Sequence, residues 1–107
     1  MVTYLPPDTK KERILKLALD TVQSRELTHG ECVENNKNIA ELWSAYLGVP
    51  LTADEVALMM VLLKIARTKS NTKVEDHFVD MAGYAAIAGE IVLGGHPDDS
   101  KSVLEQS

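Results

Sequence analysis

A lysine and two aspartates are the residues whose types and spacing give this chain its clearest chemical potential. Lys64 is the one charged residue in the apolar run 56–66, and Asp76 and Asp80 follow at four-residue spacing in the next apolar segment. An ammonium group buried without a partner costs several kcal/mol, so Lys64 needs a carboxylate facing it across a helix–helix contact. A cation and two acids between packed helices are suited to binding a metal-bound phosphate group.

Each residue in this group and near it can be interpreted as having either a structural or a functional role. Tyr84 continues the Asp76–Asp80 stripe, either as a core tyrosine or as a group that stacks on a base. Arg67 either faces the same site as Lys64 or interacts with the dipole at the end of its helix. Lys64 either snorkels from the edge of the core or contacts a phosphate. For Asp80, a functional role is favoured over a purely structural ion pair.

Two glutamates are further candidate metal ligands. Thr52 and Glu55 have the spacing of a capping box, which explains Glu55 without a ligand role. Glu34 is expected in the first turn of a helix, where a solvated acid is favoured by the helix dipole. A ligand role for either glutamate is the alternative.

Composition and charge exclude several classes of protein. With 11 basic and 16 acidic residues the net charge is −5, so binding to nucleic acid is not expected. The single cysteine, Cys32, excludes an internal disulfide framework, and the three histidines lack zinc-ligand spacing. No signal peptide or membrane span is expected, since Lys64 and Asp80 interrupt the apolar runs before they reach ~18 residues. These features predict a cytoplasmic protein.

The apolar residues recur with helical periodicity throughout, which predicts an all-α fold. Residues 1–95 are expected to form one domain and residues 96–107 a disordered tail. The helix signals predict four helices: from Asp8 as N-cap to about Ser24, Val33–Leu47, Thr52 to about Thr68, and Val74–Leu93.

The third and fourth helices are apolar on nearly every side and must be covered all round. Two further helices of ordinary amphipathicity do not supply that cover. Small residues between Ala82 and Gly89 allow another backbone to approach closely, within the chain or at a subunit interface. We therefore expect a homodimer or tetramer with the third and fourth helices in the shared core.

Two segments resemble a known family. The run Glu55–Arg67, followed by Asp76-His77-Phe78-Val79-Asp80-Met81-Ala82-Gly83-Tyr84, looks like the "LLKxAR … DxxxDxxGY" signature of small phage and prophage proteins. The upstream residues His29-Gly30, Asn35 and Ile39-Ala40-Glu41-Leu42-Trp43 are similar to the "YG…N…IAxLW" segment of the same proteins. This phage family is related to the all-α MazG-like nucleoside triphosphate pyrophosphohydrolases.

The resemblance implies a four-helix MazG-like bundle that binds a nucleotide through Mg²⁺ and hydrolyses it to the monophosphate and pyrophosphate. It assigns Asp76, Asp80 and Glu55 to catalysis, and Asp76 and Asp80, helped by Glu34 or Glu55, to the metal. Lys64 and Arg67 would contact phosphate oxygens, with Tyr84 also at the nucleotide. The chain departs from the enzymes in having Glu31 and Glu34 instead of a paired-glutamate motif, and i, i+4 aspartates where they have an i, i+3 pair.

These departures keep two other functions open. A phage could use the scaffold to sequester a nucleotide signal, or to bind and inhibit a host defence protein. A purely structural helical oligomer is the third alternative.

Overall fold

A computed structural model describes residues 9–29 and 32–94. These residues form four helices and no strand: α1 (Lys10–His29), α2 (Cys32–Leu47), α3 (Ala53–Thr68) and α4 (Glu75–Val92). The predicted all-α class and helix number are confirmed. Asp8, Gly30, Glu31 and the predicted tail lie outside the described residues.

The N-termini of α1 and α3 are built by the same local device. Thr9 precedes α1, where its N–H donates to Glu12 Oε1 at 2.8 Å and its Oγ1 accepts from the Glu12 N–H at 3.2 Å. Before α3, the Thr52 N–H donates to Glu55 Oε1 at 2.9 Å, as the predicted capping box requires. Each glutamate therefore satisfies a backbone donor that the helix itself leaves unpaired.

Gly48 ends α2 as predicted. Its φ is +75°, a left-handed conformation that glycine adopts without the steric cost of a Cβ. Beyond it the Leu51 N–H donates to Ser44 Oγ at 2.8 Å, which ties the segment before α3 back to α2. The first helix ends later than predicted, at His29 and not near Ser24, so Arg25 is helical.

The helices pack around α4. Helices α3 and α4 form a hairpin with the largest contact in the fold, α1 packs on α4, and α2 packs chiefly on α3. Arg13 joins the starts of α1 and α4 through an ion pair in which its Nε lies 2.7 Å from Glu75 Oε2. The hydrogen bond from Arg13, followed by its charge, lowers the pKa of Glu75, and the same bond raises the pKa of Arg13.

The core of the described residues is made of small side chains. Its buried apolar residues are all alanine or valine: Ala18, Ala40, Ala53, Val56, Ala57, Val79 and Ala88. Leu15 has the helical spacing of a core residue from Ala18 and Val22 but is 63% exposed, and Tyr46 of α2 is 88% exposed. Helix α2 instead turns Ala40 inward. Large apolar side chains therefore remain on the surface of the single chain.

Candidate functional site

Lys64 and Asp80 form the ion pair that the sequence suggested. Lys64 Nζ lies 2.9 Å from Asp80 Oδ2, and the two side chains are 15% and 22% exposed. The hairpin explains the meeting, because Lys64 lies one turn before the end of α3 and Asp80 lies in the second turn of α4. The apolar flanks of Lys64 thus place its ammonium group at a helix–helix contact, where a carboxylate offsets its desolvation.

Asp80 also lines a cleft between α1, α2 and α4. The lining combines Asp80 and Tyr84 with residues of the other two helices, in full Thr21, Val22, Arg25, Cys32, Val79, Asp80, Gly83, Tyr84 and Ile87. It contains about 280 Å³ of space free of protein atoms, counting its open mouth. Its cavity volume, about 20 Å³, is far below the ~300 Å³ or more of common ligand sites. The cleft therefore accommodates little more than one water molecule, and a larger ligand would lie at its mouth.

The other predicted site residues do not line this cleft. Asp76 is exposed one turn before Asp80, and Arg67 is exposed in the last turn of α3. Glu34 is exposed in the first turn of α2. Glu55 is held by Thr52 and precedes Lys64 by nine residues, or about 13 Å of helix. Of the predicted set, Asp80 and Tyr84 line the cleft, and Lys64 is connected to it through its ion pair with Asp80.

In the described part of the chain, the predicted metal ligands are not grouped as a Mg²⁺ site would require. Mg²⁺ takes oxygen ligands in near-octahedral geometry. Among the side chains described, those of residues 9–25 and 32–94, no three of histidine, cysteine, aspartate or glutamate are grouped so that they could hold a metal ion. The better placed carboxylate, Asp80, is engaged by Lys64.

Sequence reasoning missed the contribution of α1 to the cleft. Thr21 and Arg25 are one turn apart on that helix, and both line the cleft. Their i, i+4 spacing was a usable signal, but the predicted helix ended at Ser24 and left Arg25 out. Cys32, considered only for disulfides, lies at the start of α2 and lines the same cleft.

None of the four described helices combines the length and apolarity that crossing a membrane requires. No solved structure matches the chain significantly. The architecture therefore has to be understood from its own residues.

Two phage proteins are similar to this chain. The Gene 55 protein of Mycobacterium phage L5 is 44% identical over 78 residues, which cover 72% of this chain and 48% of the relative. The Gene 55 protein of Mycobacterium phage D29 is 43% identical over 67 residues, covering 63% and 44%. The chain thus spans about half the length of the curated relatives it matches.

A family model matches residues 13–92, a range that contains the Lys64–Asp80 pair and the whole lining of the cleft. The predicted phage family is supported by this match together with the phage relatives, whereas kinship with the MazG-like enzymes stays a prediction. Because the matched range is most of the chain, the protein belongs to the family DUF6378, described as a domain of unknown function.

Proposed function

We propose that this protein binds a nucleotide at the mouth of the α1–α2–α4 cleft and does so as a MazG-like homo-oligomer. The observation that carries the proposal is the Lys64–Asp80 pair, which lies at the edge of a cleft also lined by Tyr84 and Arg25. A partly shielded ion pair beside a cleft with an aromatic ring and a second cation supplies groups for both the base and the phosphates of a nucleotide.

The exposed apolar side chains support the oligomeric part of the proposal. Helix α3 alone exposes five large apolar residues, each by more than a third: Leu58, Met59, Leu62, Leu63 and Ile65. Fully burying a side chain of this size stabilises by ~1.5–3 kcal/mol, and a standard interface removes ~800 Å² per partner. A second copy that covers α3 would supply the large-residue core that the described part of one chain lacks.

The proposal concerns nucleotide binding, and whether the bound nucleotide is also hydrolysed is a separate question that the turnover assay answers. Mg²⁺ would offset phosphate charge in a MazG-like reaction. The described carboxylates of one chain do not group into a metal site, so pyrophosphohydrolysis would need carboxylates from outside this set, whether of the same chain or of a second copy. We derive no catalytic step from Asp76, Asp80 or Glu55.

The test combines binding and turnover on the same full-length protein. Isothermal titration with a panel of ribo- and deoxyribonucleoside triphosphates, with and without Mg²⁺, should detect binding of at least one of them. A phosphate assay coupled to inorganic pyrophosphatase then reports pyrophosphate release. Absence of binding across the panel would contradict the proposal, whereas binding without release would identify a non-catalytic nucleotide-binding protein.

A second function is favoured by the same apolar surface and by the absence of a grouped metal site among the described residues. In this alternative the protein binds a host defence protein, as a phage protein could, or sequesters a nucleotide without turning it over. A monomeric chain with no affinity for any nucleotide would favour the host-protein alternative. Nucleotide binding that is independent of Mg²⁺ would favour sequestration.

A further inference from the structure

We propose that Arg25 anchors a phosphate group of the nucleotide at the mouth of the α1–α2–α4 cleft, an inference that rests on the proposed nucleotide binding. Arg25 is exposed and lines this cleft. Its guanidinium has no ion-pair or hydrogen-bond partner among the residues that the structure describes. Arg13 differs in this respect, because it is already paired with Glu75.

The charges around the cleft favour an anion. The lining contains one cation, Arg25, and one carboxylate, Asp80. Asp80 is neutralised by Lys64 at 2.9 Å, so the pair together with Arg25 carries one net positive charge. A ligand that approaches Arg25 therefore meets a cation that no carboxylate within the described residues has engaged, although the whole chain has a net charge of −5.

The chemistry of the lining points to a phosphate. The planar guanidinium presents a fork of N–H donors that matches two phosphate oxygens, which a single ammonium group does not. Tyr84 lines the same cleft and has no hydrogen-bond partner in the described part of the chain, so its hydroxyl can donate to the same anion. Because the cleft holds little more than one water molecule, the phosphate lies at its open mouth, where Arg25 is exposed to solvent.

Arg67 provides a matched control. The sequence assigned it to the phosphates, yet it is exposed in the last turn of α3 and does not line the cleft. Like Arg25, it has no ion-pair partner among residues 9–29 and 32–94. Replacing either arginine by glutamine removes the same charge from an exposed helical position, and only Arg25→Gln changes the cleft.

The experiment measures binding of inorganic pyrophosphate and of the nucleoside triphosphates to the wild type, Arg25→Gln, Arg25→Lys and Arg67→Gln. Titrations are followed in ¹H–¹⁵N spectra, and circular dichroism confirms that each variant is folded. We expect Arg25→Gln to lower the affinity for both ligands by about tenfold or more, since a charged hydrogen-bonded contact is lost. Arg25→Lys should recover part of the affinity, and Arg67→Gln should bind as the wild type does.

The outcomes separate this inference from the proposed function. Equal losses in Arg25→Gln and Arg67→Gln, or no loss in Arg25→Gln, would overturn the role of Arg25. The role of Arg25 would also be overturned if a triphosphate bound but pyrophosphate did not, or if a triphosphate bound no better than its nucleoside. Neither outcome would contradict nucleotide binding itself. If no nucleotide binds to the wild type, the proposed function itself fails.

Discussion

Lys64 and Asp80 place opposite charges in the contact between α3 and α4, where each depends on the other. Both side chains are mostly shielded from water. Removing one partner leaves the other charge without its counterion in an environment that solvates it poorly. Each single substitution therefore costs more stability than the pair contributes as a unit, because it leaves one charge uncompensated.

Lys64→Met and Asp80→Asn should each lower the free energy of unfolding by about 1–3 kcal/mol, less than for a fully buried pair because some solvent reaches both groups. The double variant should be less destabilised than the sum of the two, by roughly 1 kcal/mol or more. Urea denaturation at one fixed protein concentration measures the free energy of unfolding of the wild type, the two single variants and the double variant. Additive effects would show that the pair is not coupled.

At the scale of single residues, the sequence predicted the contact between Lys64 and Asp80 but not the membership of the cleft. The contact followed from one charge in an apolar run, because an isolated buried cation needs an acid. Arg25 has only its four-residue spacing from Thr21 as a signal. It is exposed on α1, and the packing of α1 on α4 brings it to the same cleft as Tyr84. The spacing of residue types along the sequence does not determine how α1 packs on α4.

Helix α3 begins with the capping box of Thr52 and Glu55, and this separates a structural role for Glu55 from a catalytic one. Glu55→Ala should cost about 1 kcal/mol of stability, because the Thr52 N–H loses its acceptor. Glu55→Gln should cost less, since glutamine also accepts in this position. Chemical denaturation measures both.

Nucleotide binding by the two Glu55 variants gives the functional readout. Glu55 lies about 13 Å of helix from Lys64, so both variants should bind as the wild type does. Loss of binding in Glu55→Gln, which is predicted to keep most of the capping, would instead assign Glu55 a ligand role in the assembled protein.

Helices α1 and α4 are joined at their starts by Arg13 and Glu75, and this contact should depend on pH. The pKa of Glu75 is lower in the folded protein than in the unfolded chain. Its contribution is therefore present above the unfolded pKa and is lost as the pH falls through the folded pKa. Glu75→Gln should be slightly less stable than the wild type at pH 7, with the difference vanishing in acid.

Thermal unfolding of both proteins between pH 7 and pH 2 tests this expectation. Added salt should also reduce the difference at neutral pH, since the pair is exposed. Glu41→Gln removes an exposed carboxylate with no ion-pair partner in the described part of the chain and is the control. If the difference in stability between the wild type and Glu75→Gln grew as the pH fell, the expected pH dependence of this contact would be contradicted.

Helix positions were predictable because their signals are local. Gly48 and the Thr52–Glu55 box mark ends that depend on a few neighbouring residues, and both are found as expected. The buried faces were less predictable. Leu15 is exposed although its spacing on α1 is that of a core residue, whereas Ala18 on the same helix is buried.

The whole molecule is expected to be an oligomer that covers α3. Leu62 on α3 and Leu15 on α1 are 62% and 63% exposed. A Glu substitution at either position should therefore have a similar effect on the stability of a single chain, and the two variants can be compared directly. Leu62→Glu should dissociate the assembly, because it puts a charge into an apolar interface. Leu15→Glu should leave the assembly intact.

Size-exclusion chromatography with light scattering gives the masses of the three proteins. Each subunit contributes 11.8 kDa. A wild type that is monomeric at every concentration would contradict the oligomer. A Leu62→Glu variant with unchanged mass would place the interface elsewhere.

A ¹H–¹⁵N titration of the full-length protein with the nucleoside triphosphate panel tests whether a nucleotide binds at the mouth of the cleft. A bound nucleotide is expected to perturb the amides of Arg25, Asp80 and Tyr84 together and to leave that of Glu55 unchanged. Perturbation confined to other surfaces, or no perturbation by any nucleotide, would contradict binding at this cleft.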